Sequence, residues 1–406
     1  MNPRILALLL AGLPVAPACA DGLPADGKLS LSGFATFGMA RTNSDEAQFV
    51  RYNQAEGVDS GVNSGTDSNL GLQASYKFTP ELSATAQVLT RQYTSTHYAP
   101  ELSWAFLKYQ LRDELSLRAG RVVVPSFMMS DYQNVGYANT MMRPPLEMYG
   151  LAAIEHIDGA DLTYQRSFGA STVTAQLAAG VSHGKLFVAG GGGSIATIRA
   201  PLYALNLALE NGPFTLRLSR LTTELESRDF RMLNTLTARL QQAGFAALAR
   251  ELTLVGGKKI SFSSVGATMD WQQLLLQGEY GRRQANEPVY IPDNDAYYVM
   301  AGYRVGALLP YYAHAAVWQK GRSVTLPANF PAGGALARRV DFGYLTAAEQ
   351  HSDLLGLRWN FAKARALKVQ IDRLRPTRKS GGLINGPADG LKHPVVVVAF
   401  ALDAVF

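Results

Sequence analysis

Cysteine is almost missing: of 406 residues one is Cys, Cys19, and it sits in an amino-terminal stretch with the marks of an export signal. Residues Met1 to Ala20 carry one basic residue, Arg4, then an apolar stretch from Ile5 to Leu13, then Ala18-Cys19-Ala20 ahead of Asp21. That is a small-x-small cleavage site behind a short apolar core, so residues 1–20 are expected to be a removable signal peptide and 21–406 one domain. A lipid anchor on Cys19 is disfavoured by Pro17, where such sites take a small non-proline residue. The remaining chain has neither disulfides nor thiolate metal ligands. Charge is also scarce, with Asp, Glu, Lys and Arg at 17% against about 25% in soluble domains. Without Arg4 the 38 basic residues become 37 against 32 acidic ones, a net charge of +5 too dispersed for nucleic acid; the one dense basic run is Arg373 to Lys379. Long apolar runs are lacking too, since no stretch after residue 20 reaches 18 consecutive apolar residues, which disfavours membrane-spanning helices. The histidines at 97, 156, 183, 314, 351 and 393 have no metal-ligand spacing. The glycine run Gly190 to Gly193 lacks the strand-to-helix setting of a phosphate cradle, so neither metal nor cofactor is expected.

What is present is alternation. Leu31, Ala35, Phe37 and Met39 form one face of a first strand from Leu29. Leu70, Leu72, Ala74, Tyr76 and Phe78 then alternate with Gln73, Ser75 and Lys77 until Thr79-Pro80-Glu81 turns the chain into Leu82 to Tyr93. Short turns recur at Arg112 to Glu114, Ser167 to Ala170, Asn211 to Pro213, Asp270 to Gln273, Val305 to Pro310 and Ala362 to Arg365. Between them run long connections: Thr42 to Asp67, Thr94 to Pro100, Val122 to Gly150, Val181 to Ala200, Thr222 to Gly257, Gln284 to Asp293, Gln319 to Gln350 and Pro376 to Pro394. The strands on either side number sixteen. An even count with short turns on one side and long loops on the other predicts an all-β fold, a transmembrane antiparallel β-barrel. Aromatic residues near the short turns, among them Tyr76, Tyr109, Tyr164, Trp271 and Trp359, match a girdle at one membrane interface.

The segment Val395 to Phe406 puts Val396, Val398, Phe400, Leu402, Ala404 and Phe406 on one wholly apolar face, with Ala399, Ala401 and Asp403 on the other. It resembles the C-terminal strand of Gram-negative outer-membrane barrels. A second resemblance lies between Ala105 and Gly150. Arg118-Ala119-Gly120-Arg121, Pro125, Ser130-Asp131, Val135-Gly136-Tyr137, Arg143-Pro144-Pro145, Glu147 and Tyr149-Gly150 look like the corresponding part of Gram-negative outer-membrane porins, the 16-stranded general and anion-type channels, similar in style to phosphate-selective and dicarboxylate porins. That resemblance implies that the third long loop, after strand 5, folds into the lumen as a constriction. It also implies a homotrimer in contact with outer-membrane lipid and lipopolysaccharide.

Arg118 alternates with Leu117 and Ala119 and so is expected on the lumen face. Arg121 and Arg143 bracket the loop as a possible cationic side of an eyelet, with Asp131 and Glu147 opposite; equally, these arginines could pair with loop carboxylates and brace the fold. Lys77, Arg91, Lys108, Arg217, Arg304, Arg358 and Lys368 against Glu279 and Asp372 make the other inward charges, a surplus that would favour small anions. Arg231 to Glu251 has Leu233, Leu236 and Leu240 at helical spacing inside a long loop. Two readings compete with a passive channel: an adhesin or structural barrel that binds through its long loops, and a barrel-surface hydrolase using His156 near Asp158 and Asp161.

Overall fold

Side chains that alternate between apolar and polar need a sheet with lipid on one side and something else on the other, and this sheet obtains both by closing on itself. The computed structural model describes residues 27–406 apart from 153, 189–193, 290, 322–323, 332, 341–348, 377–383, 387–390 and 392. The expected signal peptide and the glycine run Gly190 to Gly193 lie outside the described residues. The first eight strands are β1 (Leu29–Thr42), β2 (Asn69–Lys77), β3 (Leu82–Arg91), β4 (Ala99–Arg112), β5 (Leu115–Val123), β6 (His156–Phe168), β7 (Ser171–Val188) and β8 (Ser194–Asn211). The rest are β9 (Phe214–Leu225), β10 (Lys258–Trp271), β11 (Leu274–Ala285), β12 (Asp293–Tyr303), β13 (Leu308–Gly321), β14 (Gln350–Ala362), β15 (Arg365–Pro376) and β16 (Val395–Val405). Each pairs antiparallel with its sequence neighbour, and β1 also pairs with β16, from Phe34 opposite Val405 to Thr42 opposite Val397. A closed ladder leaves no edge and pairs the backbone groups that lipid could not satisfy.

Which face is which follows from exposure. On β16 Val395, Val397, Ala399, Ala401 and Asp403 are buried inward, while Val398 and, just beyond the strand, Phe406 are exposed outward, as the terminal alternation predicts. Phe78, Tyr109, Tyr164, Phe168, Phe214, Trp271, Trp359 and Phe406 form an exposed aromatic row at the short-turn end. The turns themselves are tight. Gly169 and Gly212 take positive φ values of 60° and 52° between β6 and β7 and between β8 and β9, the conformation that hairpins of this length demand.

Two expectations need correction. Val181 to Ala200 is not a long loop: β7 runs to Val188 and β8 resumes at Ser194, with those two residues paired. Above the membrane the sidedness inverts, so His183, Lys185 and Arg199 are exposed outside while Ala196, Ile198 and Ala200 are buried inside. A strand with a polar outer face there looks like a loop in sequence. The helical stretch is two helices rather than one. Including the short α1 (Leu146–Tyr149), the helices are α2 (Arg231–Gln242), α3 (Ala246–Leu252) and α4 (Ala335–Val340), and Gly244 at φ 86° breaks α2 from α3. Leu233, Leu236 and Leu240 pack under these helices with Ile198, Leu225 and Ile260 of the barrel's inner wall.

Candidate functional site

Between Val123 and His156 the third long loop, residues 124–155, turns into the barrel. Its Phe127, Met129, Met141, Met148, Tyr149 and Leu151 are buried in one cluster with Phe262, Tyr298, Met300 and Tyr311 from the inner faces of β10, β12 and β13. Phe127 stacks on Tyr149 at 4.4 Å and lies 5.0 Å from Phe262. The loop settles on this half of the wall because its inward side chains are large and apolar. Across the lumen more of the inward residues are polar, with Gln73 bonded to Gln87 and Ser75 to Thr85, beside Phe106, which packs against the loop cluster.

Polar ties complete the seating. Glu279 accepts from the Met128 amide at 3.0 Å and from the Tyr149 hydroxyl at 3.3 Å. Ser264 donates to Ser126 O at 2.8 Å, Arg217 to Met128 O at 3.1 Å and Arg358 to Asn139 O at 2.9 Å. The first long loop also turns inward, where Asn53 donates to Lys185 O at 2.7 Å and accepts from the Phe187 amide.

The five residues expected at an eyelet do not form one group. Arg118 faces the lumen and donates to Asp161 at 2.6 Å, its side chain 22% exposed and that of Asp161 fully covered. Arg121, three positions along the same strand, faces the opposite way; it pairs on the outside with Asp158 at 2.7 and 2.8 Å. Arg143 is buried between Asp67 and Asp372, the latter at 2.9 Å, with Phe49 beneath its guanidinium at 4.5 Å. Burial alone would lower the Arg143 pKa, but the two carboxylates outweigh it and raise it. Glu147 is buried on α1 and accepts from Gln350 at 2.7 Å and from Ser352. Burial pushes its carboxyl above the ordinary range, with those hydrogen bonds opposing. Asp131 alone of the five remains substantially exposed, at 49%, and it stands 3.5 Å from Arg217. Arg217 and Arg358, expected as plain wall charges, therefore touch the loop, and Arg143 and Glu147 hold it down.

The candidate hydrolytic set also comes apart, because Asp158 points outward to Arg121 and Asp161 inward to Arg118.

Sequence reasoning missed a second cluster. Arg91 joins Glu101 at 2.8 Å, Glu155 at 2.9 Å and Asn134 at 3.0 Å, which closes the base of the loop onto β3 and β4. Burial would raise the Glu155 carboxyl, but Arg91 overrides this and holds it below the ordinary range. These groups border a cavity of about 280 Å³ whose lining includes Trp104, Asp131, Tyr132 and Gln133. Asp67 and Glu155 lie in loops with no periodic pattern, so no sequence signal marked them.

Comparison with known proteins agrees with this architecture. Among curated proteins no match is found. The anion-selective porin from Comamonas acidovorans superimposes with a TM-score of 0.54 at 14% identity, over 93% of this chain and 99% of that one. OmpF of Salmonella typhi, in complex with daunomycin, gives 0.53 at 14% identity over 95% and 99%. OmpT of Vibrio cholerae, folded in vitro and in a trimer form, gives 0.53 at 12% identity over 93% and 99%. At such identities these likenesses speak for the fold alone, a closed 16-stranded barrel. The sequence profile of the Gram-negative porin family matches residues 6–323, and it is to that family of outer-membrane channels that this chain belongs.

Proposed function

We propose that the barrel is a passive, water-filled diffusion channel for small hydrophilic solutes that favours anions, with residues 124–155 setting the width of the passage. The observation that carries the reading is the one-sided seating of that loop. It leaves a path along β2 to β6, where the Arg118 side chain stays partly exposed and the balancing Asp161 is covered. Lys77 and Lys108 share the inner face of that path and have no ion-pair partner among the described residues. Opposite them, the Asp131 charge is offset by Arg217. Fields from such groups reach a solute in a narrow passage but fade beyond a Debye length of ~8 Å at physiological salt. The selectivity set thus becomes Lys77, Lys108 and Arg118 against Asp131, while Arg143 and Glu147 act as anchors and Arg121 lies outside the lumen. The trimer form of Vibrio cholerae OmpT and the apolar outer wall support a homotrimer. Outer charges such as Arg121 and Asp158 would then meet lipid headgroups and lipopolysaccharide.

The test is a reversal potential across a planar bilayer under a salt gradient. The unaltered channel should prefer the anion, and Lys77→Gln with Lys108→Gln should shift the potential toward zero; Arg118 is left in place because its removal strands Asp161. Cation preference in the unaltered protein would overturn the charge assignment. An absence of conductance steps would favour the adhesin reading instead.

A further inference from the structure

The inner face of β16 is apolar from Val395 to Ala401 and then presents one carboxylate, Asp403, which is 1% exposed. A lone buried carboxylate in a wall is costly unless fully partnered. Its partners come from both neighbouring strands. Thr36 on β1 donates to Asp403 Oδ1 at 2.6 Å, and the ammonium of Lys368 on β15 lies 3.0 Å from Oδ2. Lys368 is itself fully buried, and its other contacts are the carbonyls of Gly136 at 2.6 Å and Met141 at 3.2 Å, both in the third loop. Two of the ammonium's three N–H groups are thus donated to the loop, while its charge faces Asp403. The loop meets this seam closely. A Cβ on Gly136 would come within 2.1 Å of Asp403 Oδ1 and 2.3 Å of Thr36 Oγ1, so only glycine lets the backbone approach so near.

We infer that Asp403, Lys368 and Thr36 form a latch by which the seam between β1 and β16 positions the tip of the third loop, making Asp403 a positioning residue for the passage. Resting on the channel reading above, the inference adds the residues that fix its width. Three features coincide at one place: the pairing that closes the barrel, a buried ion pair, and the single-turn segment Gly136–Ala138. Lys368 bridges them, taking a carboxylate from the seam and two carbonyls from the loop. Until β16 pairs with β1, the Thr36 and Asp403 half of the site does not exist. The loop tip therefore acquires its seat only as the barrel closes. Without Asp403, Lys368 would lose its counter-charge and Gly136 its wall, and the tip would be free to move away into the passage or against the opposite wall.

The experiment compares single-channel records of the unaltered protein with Asp403→Asn and Lys368→Met, using heat-modifiable migration to establish that each barrel is closed. The latch predicts closed barrels with altered unit conductance and increased open-channel noise. It also predicts that the double variant changes no more than either single one. A further variant separates positioning from loss of the ion pair: Gly136→Ala leaves Asp403 and Lys368 in place, but its Cβ would meet Asp403 Oδ1 at 2.1 Å, so it should push the tip off the seam and alter conductance and noise in a closed barrel. Closed barrels with unaltered conductance and noise would overturn the inference. Should Asp403→Asn fail to close, Gly136→Ala decides, since a closed barrel with unaltered conductance and noise would mean that the tip does not rest on the seam. Loss of the channel reading would look different, as the unaltered protein would then show no conductance steps.

Discussion

Arg143 shows how one side chain can join three parts of this molecule, for it holds Asp67 in the first loop and Asp372 on β15 from its own place in the third loop. Removing it as Arg143→Met strands two buried carboxylates, and breaking a buried pair typically costs about 3–5 kcal/mol. Equilibrium unfolding from lipid vesicles should register a loss of that order. Replacing all three, as Arg143→Met with Asp67→Leu and Asp372→Leu, should recover most of it, because no charge is then left uncompensated. Glu147 supplies the pH dependence. Burial raises its folded pKa, so the folded chain holds this proton more tightly than the unfolded chain does. Its contribution is full below the unfolded value of about 4.3 and is lost as pH rises through the raised folded value. Glu155 runs the other way, its contribution present above the ordinary carboxylate range and lost as pH falls through its lowered value. Glu147→Gln keeps an oxygen for Gln350 and Ser352 without a charge to desolvate. Its unfolding midpoint should therefore exceed that of the unaltered protein at neutral pH and lose the decline on the alkaline side.

At the scale of elements, the short turns were legible because their chemistry is local. Thr79-Pro80-Glu81 and Asn211-Gly212-Pro213 end one alternating run and begin the next, and β2, β3, β8 and β9 stop and start around them. Two turns depart from that chemistry, and one of them holds Gln272 at φ 54° between β10 and β11. Ala364, between β14 and β15, has φ 61°, a left-handed conformation that costs a residue with a Cβ about 1 kcal/mol or more. Ala364→Gly should raise stability by about that amount in the same unfolding assay, and a decrease would mean that the turn is held by contacts of the Ala364 methyl. The upper part of the β7–β8 hairpin was illegible for the opposite reason. Its outer face exposes His183, Lys185, Thr197 and Arg199 beside Ile195 and its inner face buries Ala196, Ile198 and Ala200, which runs against the rule that identifies strands within the membrane. Alternation survives there, but its sign depends on what surrounds the strand.

For the whole molecule, closure is the decisive event. Phe406 completes the seam by exchanging backbone hydrogen bonds with Gly33, at 2.7 and 2.9 Å. Its ring occupies the space that a Cβ on Gly33 would need. Phe406→Ala should therefore slow the appearance of the heat-modifiable band during folding into vesicles more than it lowers the stability of the inserted barrel; an unchanged rate would show that the ring plays no part in closing. The sequence by itself determined the membrane barrel, its sixteen strands and the facing of the alternating runs such as β2 and β16, because a period of two is written along the chain and needs no distant partner. The same period put Arg118 inward; Arg121, expected at the eyelet, stands three residues further along the strand and faces outward in the structure. Only the tertiary structure decided which wall the third loop would cover and which charges would pair. Arg143 meets partners 76 and 229 residues away, contacts that exist only once the sheet has curved through a full circle. Their choice rests on where apolar side chains gather inside the closed barrel, a property of the circumference that no local stretch of sequence records.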